Sequence, residues 1–517
     1  MQDIKILWAD DEIDLLKPQI MFLEQKGYVV EPVTNGIDAV ERFTDNHYDI
    51  VFLDESMPGI TGLETLSRIK AIHSDIPVVL ITKNEEENLM EEAIGSQISD
   101  YLIKPVKPQQ ILLSLKKIID NKRLVSEKTS HNYRQEFQKI MMQINNQMNH
   151  DEWVDLYRQL IYWELKLDQT ENPEMHEILS MQKSEANKEF FKFINKHYLN
   201  WISGKDSNSP TLSHTLFRDK VKPYLEDDVP TFFILIDNLR YDQFKAIEPL
   251  FSELYKKTKE DYFYSILPAT TQYSRNAIFS GLTPLEISKK YPDKWFYDDE
   301  DEGKNLHEEF FLEEQLKRLR YTGKMSYNKV TTNKIGKELE DRILNLLDIK
   351  FNAIVYNFVD MLSHARTEME VLKELASDEA AYRSLTISWF DHSPLFNALQ
   401  KLSDKKVRLI ITADHGTIRV GNPIKVIGDK NTTTNLRYKT GKSLNYNPKE
   451  VLEVKNPADA MLPQSNVSSR YIFAKEDEYL CYPNNYNYYA NYYKNTFQHG
   501  GVSMEENIVP FIIFEPK

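Results

Sequence analysis

Apolar runs of strand length that end on a polar or acidic residue recur along this chain, and they constrain its fold more than any other feature. Between residues 1 and about 120 the runs are IKILWA, YVVEPV, YDIVFLD, IPVVLIT and DYLIK, with helix-length segments between them. Continuous apolar strands that alternate with helices are typical of a doubly wound parallel sheet that is buried on both faces. The N-terminal region is therefore predicted to be an α/β domain of this kind.

The polar residues at the ends of these runs share one expected position. In a parallel sheet the carboxyl ends of the strands meet at one rim, where such domains hold their ligands. The residues at those ends are Asp10, Asp11, Glu12, Asp54, Thr82 and Lys104. Carboxylate oxygens are the ligands that Mg²⁺ prefers, and the arrangement leaves room for a phosphate. We therefore expect a magnesium and phosphoryl site at this rim.

The spacing of these residues resembles the receiver domain of two-component response regulators. The matching stretches are DDE at 10–12, LDESMPGITG at 53–62, IT at 81–82 and YLIKP at 101–105. The resemblance implies that a histidine kinase transfers a phosphoryl group to Asp54. It also implies that Asp11, Asp54 and the Ser56 carbonyl oxygen bind Mg²⁺, with Asp10 assisting.

The same resemblance implies how the phosphoryl group changes the domain. Lys104 pairs with the group, and Thr82 and Tyr101 move with it. A phosphoryl group adds up to about two negative charges and three acceptor oxygens, which is enough to reposition these side chains. We expect phosphorylation to favour a homodimer through the face around Tyr101.

The pattern changes between residues 121 and 205. Apolar residues recur there at three- and four-residue spacing with few glycines, as in DEWVDLYRQLIYWELKL. This spacing predicts packed amphipathic helices with Trp153, Trp163 and Trp201 in their core. We see no helix-turn-helix with a basic recognition face, which argues against a duplex DNA-binding domain. The segment is predicted to be a helical bundle connector, and the polar residues 203–210 are predicted to be a linker.

Three apolar runs within residues 206–517 share one arrangement, because each ends on an acid. TFFILID ends at Asp237, FNAIVYNFVD ends at Asp360, and KVRLIITADHG ends at Asp414 and His415. If these runs are parallel strands, their end residues lie together at one rim. His364 follows Asp360 by four residues, and one helical turn would place both on the same face. This predicts a second α/β domain with its own site.

The stretch SILPATTQYSRNAIFSG, residues 265–281, carries the candidate nucleophile of that site. An apolar run stops at Pro268, Thr270 and Thr271 follow, and a helix-like segment ends at Gly281. A threonine at a strand-to-helix turn lies beside free N–H groups that attract anions, although such a threonine can simply be an N-cap. We favour Thr271 as the nucleophile and keep Thr270 as the alternative. Asp and His around a hydroxyl suit a zinc pair that activates the alcohol.

This order of residues resembles the alkaline phosphatase superfamily, and within it the PglZ branch. The resemblance depends on D-x-x-x-H at 360–364, DHG at 414–416 and the interval from Thr271 to Gly281. It implies that Thr271 is the nucleophile and that one Zn²⁺ is bound by Asp237, Thr271, Asp414 and His415. It implies that a second Zn²⁺ is bound by Asp360, His364 and His499. A zinc site that supports structure without turnover is the alternative.

Two further stretches are candidates for the substrate pocket. Residues 425–442 contain Lys425, Arg437 and Lys439 among Thr, Asn and Gly, and they could hold phosphate oxygens or form a solvated loop. Seven tyrosines lie between Tyr479 and Tyr493, whose rings could stack on bases or pack as a cover. Together these stretches favour a nucleotide-like phosphodiester as substrate. Residues 284–350 show no chemical signal.

Composition limits the remaining possibilities. The net charge of −15 argues against a broad DNA-wrapping surface. The single cysteine, Cys481, cannot form an internal disulfide, and the charged N-terminus does not match a signal peptide. No apolar run approaches the length that spans a bilayer. These features predict a cytoplasmic protein that does not insert into membranes.

The complete order is a receiver at 1–120, a connector at 121–205 and a PglZ domain at 206–517, and it resembles the PglZ-containing response regulators of the type IX secretion system in Bacteroidetes. The resemblance implies that phosphorylation of Asp54 controls a zinc-dependent phosphodiesterase acting on nucleotides or short oligonucleotides, cyclic ones included. The alternative is a regulator without catalysis, whose zinc domain binds a sigma factor or a secretion component.

Overall fold

The computed structural model describes residues 4–83, 98–170, 172–297, 304–368, 378–429, 432–464, 466 and 468–517, without the side chains of 119–126 and 364–368. The chain divides into two compact units, residues 1–131 and 132–517. Among the described helices, none is both long enough and apolar enough to cross a bilayer.

The first unit is a five-stranded parallel sheet with helices on its two faces. Its strands are β1 (Lys5–Ala9), β2 (Val29–Val33), β3 (Ile50–Asp54), β4 (Val78–Thr82) and β5 (Asp100–Ile103), in the order β2-β1-β3-β4-β5. Its helices are α1 (Lys17–Glu24), α2 (Gly36–Asp45), α3 (Gly62–Ile72) and α4 (Pro108–Ile144), which continues into the second unit. Alternate residues of β1, β3 and β4 enter two separate apolar clusters. This confirms the predicted doubly wound receiver fold.

Two long helices follow, α5 (His150–Leu167) and α6 (Pro173–Ile202). Asn149 begins α5 with a capping box that it shares with Glu152. The helices bury Trp153, Trp163 and Trp201, as their spacing predicts. These tryptophans belong to the same apolar cluster as the strands of the C-terminal sheet. The helical connector is therefore confirmed, and it shares its core with the domain that follows.

The rest of the second unit is α/β. Its strands are β6 (Thr231–Ile236), β7 (Tyr255–Tyr264), β8 (Met325–Val330), β9 (Phe351–Tyr356), β10 (Arg408–Thr412), β11 (Ile418–Arg419), β12 (Asn422–Lys425), β13 (Tyr438–Gly441), β14 (Val451–Val454), β15 (Arg470–Ala474), β16 (Glu478–Cys481), β17 (Phe497–Gln498) and β18 (Ile508–Pro516). Its helices are α7 (Tyr241–Leu254), α8 (Asn276–Ser280), α9 (Pro284–Lys290), α10 (Glu308–Arg318), α11 (Asn333–Arg342), α12 (Phe358–Glu368), α13 (Glu379–Asp391), α14 (Pro394–Leu402), α15 (Tyr486–Tyr493) and α16 (Met504–Asn507).

A six-stranded mixed sheet in the order β7-β18-β10-β6-β9-β8 forms the centre of this unit. Strands β10, β6, β9 and β8 are parallel, while β18 runs antiparallel to both β10 and β7. Strands β6, β9 and β10 are buried along their whole length, as their continuous apolar sequences predict. The ends of these three strands therefore bring their following residues to one rim.

Helix α6 supports two backbone segments near that rim. The hydroxyl of Tyr198 accepts a hydrogen bond from Leu267 N at 2.7 Å. Asn187 donates to Glu505 Oε2 at 2.9 Å and accepts from Met504 N at 2.8 Å. Tyr198 and Asn187 are both buried. Because the first segment precedes the candidate nucleophile and the second follows the last candidate histidine, the connector contributes directly to the scaffold of the candidate site.

Candidate phosphoryl-transfer sites

The first candidate site lies at the carboxyl ends of β1 and β3. Asp10 and Asp11 follow β1, and Asp54 ends β3. One carboxylate oxygen from each of these residues lies within 4.8 Å of the other two. Asp10 and Asp54 are buried, whereas Asp11 is exposed. Oxygen donors at this spacing, open to solvent on one side, fit a divalent cation that also keeps water and phosphate ligands.

Lys104 pairs with two of the three acids in this cluster. Its Nζ lies 2.8 Å from Asp10 Oδ2 and 3.0 Å from Asp54 Oδ1. Burial raises the pKa of Asp54 to about 6, with Lys104 opposing the shift and Asp10 adding to it. The lysine therefore already occupies a position from which it can pair with a phosphoryl group on Asp54.

The other predicted receiver residues lie on the neighbouring strands or in the loop after β3. Thr82 is the last residue of β4, the neighbour of β3, and it is buried. Tyr101 is half-buried on the edge strand β5, in register with Leu80. Ser56 is exposed two residues after Asp54. Thr82 and Ser56 therefore lie close in sequence or in the sheet to Asp54, whereas Tyr101 lies one strand further out.

The second candidate site is centred on Thr271, the first residue of a π-helical turn that ends at Arg275. Thr271 Oγ1 lies 3.2 Å from Asp237 Oδ1 and 3.2 Å from His415 Nε2. Thr270, the alternative nucleophile, is buried, and its Oγ1 has no hydrogen-bond partner among the described residues. The contacts therefore favour Thr271 over Thr270.

The backbone after β6 and β10 fixes the acid opposite the threonine. Asp414 Oδ1 accepts hydrogen bonds from the N–H groups of Asn238 and His415, each at 3.1 Å. Gly416 completes the DHG sequence, and a Cβ at this position would lie 2.1 Å from the carbonyl oxygen of Glu505. The glycine is needed because another segment of backbone passes directly against it.

The donor atoms of this group are close enough together for one divalent metal ion. Ligand atoms of Asp237, Asp414 and His415 all lie within 4.8 Å of one another. His415 Nε2 is 3.9 Å from both Asp237 Oδ1 and Asp414 Oδ2. Zinc–ligand bonds of about 2.0–2.2 Å place tetrahedral ligands roughly 3.3–3.6 Å apart. The three side chains and the Thr271 hydroxyl could therefore hold one divalent metal ion, with the His415 ring drawn slightly closer to the two acids than it is here.

Arg275 belongs to this site, and the sequence reasoning missed it. The guanidinium is fully buried, donates from Nε to Asp414 Oδ2 at 2.9 Å and pairs through Nη2 with Asp237. Burial opposes ionisation of Asp414, but Arg275 and the N–H donors outweigh it and lower the pKa to about 2. Burial raises the pKa of Asp237 despite the arginine. In the sequence, Ser274, Arg275 and Asn276 indicate only the beginning of a helix. Nothing there predicts that Arg275 pairs with Asp237 and Asp414.

Asp360 and His499 lie next to the first group. Asp360 Oδ1 is 3.7 Å from His499 Nε2 and 3.4 Å from the side-chain nitrogen of Asn238. The rings of His499 and His415 stack with their centroids 4.4 Å apart. His364 is in α12, four residues after Asp360, but its side chain lies outside the described part of the chain. The structure thus brings two of the three residues predicted for the second zinc close to the group of Asp237, Asp414 and His415 around Thr271.

A cavity of about 610 Å³ includes Thr271 in its lining. Lys304 and Asn305 also line it, and Asn305 donates from its side chain to the Thr271 carbonyl oxygen at 3.1 Å. These two residues come from the segment 284–350, to which the sequence reasoning assigned no chemistry. Lys304 supplies a positive charge to a cavity whose other described lining residues are neutral apart from His499.

The predicted basic substrate residues lie elsewhere, and two of them are corrected. Arg437 is fully buried and pairs with Glu506 at 2.6 Å. Lys439 is buried as well, donates to the Thr433 carbonyl oxygen at 2.8 Å, and has its pKa lowered to about 7 by burial. Both side chains use their donors inside the fold, so neither faces substrate. Lys425 is exposed on β12 and does not line the cavity.

An acidic rim that carries a lysine, and a second rim with a threonine among Asp and His, define a response regulator joined to an alkaline phosphatase-like domain. Family models match in that order: a response regulator receiver domain at 6–116, a PorX response regulator linker domain at 123–202, and the BREX system PglZ alkaline phosphatase-like domain at 216–514. The last match covers more than half of the chain, which belongs to the PglZ family as a PorX-like receiver–PglZ fusion.

Curated relatives match the receiver region. The transcriptional regulatory protein ResD of Bacillus subtilis is 29% identical over 117 residues, which are 23% of this chain and 48% of that protein. SrrA of Staphylococcus aureus is 28% identical over 115 residues, 22% of this chain and 47% of that protein. The chain thus spans about half the length of these relatives. A receiver domain from Clostridium thermocellum has 29% identity and a TM-score of 0.23, covering 23% of this chain and 98% of its own.

Proposed function

We propose that this protein is a response regulator in which a histidine kinase phosphorylates Asp54 and thereby controls a zinc-dependent phosphodiesterase in the C-terminal domain. Its substrates are nucleotides or oligonucleotides, cyclic ones included, and its output is control of type IX secretion. The observation that supports catalysis is the Thr271 hydroxyl, 3.2 Å from both Asp237 and His415 and open to a cavity. The role in secretion rests on the resemblance of the complete domain order, in which a PorX response regulator linker domain lies between the receiver and the PglZ domain.

The metal assignments of this proposal follow the donor atoms. Asp237, Thr271, Asp414 and His415 would hold one Zn²⁺, and Asp360, His364 and His499 a second. Asp11, Asp54 and the Ser56 carbonyl oxygen would hold Mg²⁺. Bound zinc lowers the pKa of an alcohol ligand and stabilises negative charge on phosphate oxygens.

The side chains of the chain itself orient the reacting alcohol. Thr271 Oγ1 donates a hydrogen bond to Asp237 Oδ1 at 3.2 Å, so this carboxylate is placed to accept the proton, while His415 Nε2 would serve as a metal ligand. Asn305 holds the Thr271 backbone, and Arg275 keeps Asp237 in place. These contacts fix the nucleophile before the substrate arrives, which lowers the entropic cost of attack.

The test is hydrolysis of bis(p-nitrophenyl) phosphate and of linear and cyclic oligonucleotides, with and without chelator. We expect Thr271→Ala to lower kcat/KM by about 10³-fold or more, while Thr271→Ser keeps part of the activity. Thr270→Ala is the matched control and should stay within about tenfold of wild type. Wild-type activity in Thr271→Ala would refute the assignment. No turnover by metal-loaded wild type would favour a regulator that acts by binding a sigma factor or a secretion component.

The receiver half of the proposal has a separate readout. Asp54→Asn should take up no phosphoryl group from a small-molecule donor, as judged by intact mass, whereas Thr271→Ala should be labelled like wild type. Phosphorylation should shift the wild-type chain toward a dimer in sedimentation velocity, through the face around Tyr101. In this proposal residues 1–120 receive the signal, 121–205 transmit it and 206–517 perform the chemistry.

A further inference from the structure

The helix α15 carries two parallel rows of tyrosine rings. Tyr488 stacks on Tyr492 with a centroid distance of 6.1 Å, and Tyr489 stacks on Tyr493 at 6.2 Å. Within each adjacent pair, the rings meet edge to face. The rows follow the four-residue spacing that places side chains on one side of a helix. The helix therefore presents a continuous aromatic surface.

This surface begins in the cavity of Thr271 and ends in solvent. Tyr492 and Tyr493 line the cavity, together with Thr271 itself. Tyr488 is 64% exposed and Tyr489 is 41% exposed, so the outer ends of both rows are open. The inner ring of each row thus shares a cavity with Thr271, and the outer ring of each row is open to solvent.

Packing alone does not account for the outer rings. The helix is anchored by Ala490, which is buried and accepts a hydrogen bond from the hydroxyl of Tyr479. Tyr486 and Tyr493 pack against a small apolar cluster, and Tyr486 donates to the Pro423 carbonyl oxygen at 3.0 Å. None of these contacts involves Tyr488 or Tyr489.

The charge pattern of the segment suits an anionic ligand. Residues 479–504 contain no Asp or Glu, although the chain has 79 acidic residues in all. The same stretch contains Lys494, and asparagines separate the tyrosines at 485, 487 and 491. A surface without carboxylates avoids repelling phosphates, while amides and phenols can donate hydrogen bonds to them.

We propose that α15 is a stacking platform for the nucleotides that flank the scissile diester, so that among the proposed substrates the enzyme prefers single-stranded oligonucleotides longer than a dinucleotide. This inference rests on the proposed function and adds the length of the substrate to it. Aromatic rings stack on bases irrespective of sequence, with about 1–3 kcal/mol per base. The platform therefore selects for chain length rather than for particular bases.

The experiment compares full-length wild type with the double variant Tyr488→Ala/Tyr489→Ala. On a single-stranded hexanucleotide, we expect the variant to lose at least about fivefold more kcat/KM than it loses on bis(p-nitrophenyl) phosphate, because that substrate has no flanking nucleotides. The double variant Tyr488→Phe/Tyr489→Phe should retain the wild-type preference for the hexanucleotide over bis(p-nitrophenyl) phosphate, since it keeps the aromatic rings. Tyr162→Ala is the matched control, because Tyr162 is a 52% exposed tyrosine on α5.

Binding separates this inference from the proposed function. Fluorescence anisotropy of a labelled hexanucleotide on Thr271→Ala protein needs no turnover, and the added Tyr488→Ala/Tyr489→Ala changes should weaken binding at least about fivefold. If the wild type hydrolyses the aryl diester but the tyrosine changes leave hexanucleotide binding and hydrolysis unaltered, the platform is wrong and the phosphodiesterase stands. If no diester is hydrolysed but binding still depends on the rings, the phosphodiesterase is wrong and the platform stands.

Discussion

The two candidate sites share one arrangement but differ in the basic side chain that pairs with their acids. In both, acids follow the ends of buried parallel strands, and one basic side chain lies between two carboxylates. In the receiver, Lys104 bridges Asp10 and Asp54 at 2.8 and 3.0 Å, and its side chain remains 11% exposed. In the C-terminal domain, Arg275 bridges Asp237 and Asp414 and is completely buried.

This difference corresponds to what each site has to do. A lysine ammonium is a point charge on a flexible stem, so Lys104 can turn from a carboxylate to a phosphoryl group that comes and goes. A guanidinium is planar and holds its partners in fixed directions, so Arg275 keeps two carboxylates in one arrangement. The receiver site is suited to change, whereas the C-terminal site is suited to keep its geometry.

Replacing the buried cation should have the largest effect. Arg275→Met leaves Asp237 and Asp414 without their counter-charge, and such a loss at a buried pair costs about 3–5 kcal/mol. In chelator, we expect the urea midpoint of the variant to fall sharply below that of wild type, and added Zn²⁺ to recover more stability in the variant than in wild type. Tryptophan fluorescence reports this unit well, because five of the six tryptophans lie within residues 132–517.

Lys104→Met provides the comparison within the same chain. Asp11 is exposed beside that pair, so solvent can compensate part of the lost charge, and the unfolding of the receiver should shift less than that of the C-terminal unit in Arg275→Met. Equal shifts for the two variants would contradict the distinction between a changeable and a fixed site.

The sequence predicted the parts of both sites that follow from strand ends. Apolar runs such as TFFILI and RLIIT are long enough to be recognised as buried strands, and the topology then places Asp237 and Asp414 together. The receiver fold and the helical connector are predicted in the same way, from continuous apolar runs and from the spacing of apolar residues. Such predictions succeed because the position of a strand-end residue depends on the sheet and hardly on the rotamer.

Contacts made by loops and insertions that fold back onto the central sheet could not be predicted from the sequence. Asn305 bonds to the Thr271 carbonyl oxygen and Lys304 lines the same cavity, although both come from a segment with no periodic signal. Arg437 and Lys439 looked like phosphate ligands because charge in a polar stretch suggests a surface, yet the structure buries both. The boundary between the connector and the C-terminal domain follows in the sequence from apolar spacing and the polar residues 203–210, whereas in the structure Tyr198 of the connector contacts the Leu267 backbone near Thr271.

A further variant compares the buried Lys439 with the partly buried Lys104. Burial lowers the pKa of Lys439 to about 7, whereas two acids raise the pKa of Lys104 against its burial. The unfolded state therefore binds more protons at Lys439 between pH 7 and about 10.4, and this lysine makes stability rise with pH across that window. Lys439→Met removes the cost of burying the amine, so it should stabilise the protein by about 1–3 kcal/mol at pH 7.

The check is the difference in urea midpoint between Lys439→Met and wild type as a function of pH. The gain should be largest at pH 7 and below, and it should shrink as the pH approaches 10. Lys104→Met should show no gain at pH 7, because Lys104 is paired. A loss of stability in Lys439→Met that is the same at every pH would mean that the hydrogen bond to Thr433 matters more than the buried charge.

The smallest expected effect concerns the support that the connector helix α6 gives to the C-terminal site. In the receiver, the acids lie on or directly after their strands, but the segment before Thr271 also depends on Tyr198, whose hydroxyl accepts from Leu267 N. Tyr198→Phe leaves that buried N–H unpaired, which costs about 1–2 kcal/mol, and it should lower kcat about three- to tenfold with little change in KM. Tyr157→Phe is the matched control, because Tyr157 is also a fully buried connector tyrosine and its hydroxyl has no partner among the described residues. Since Asp54 needs no such support, phosphorylation of Tyr198→Phe should proceed at the wild-type rate, and a slower rate would show that the connector also constrains the receiver site.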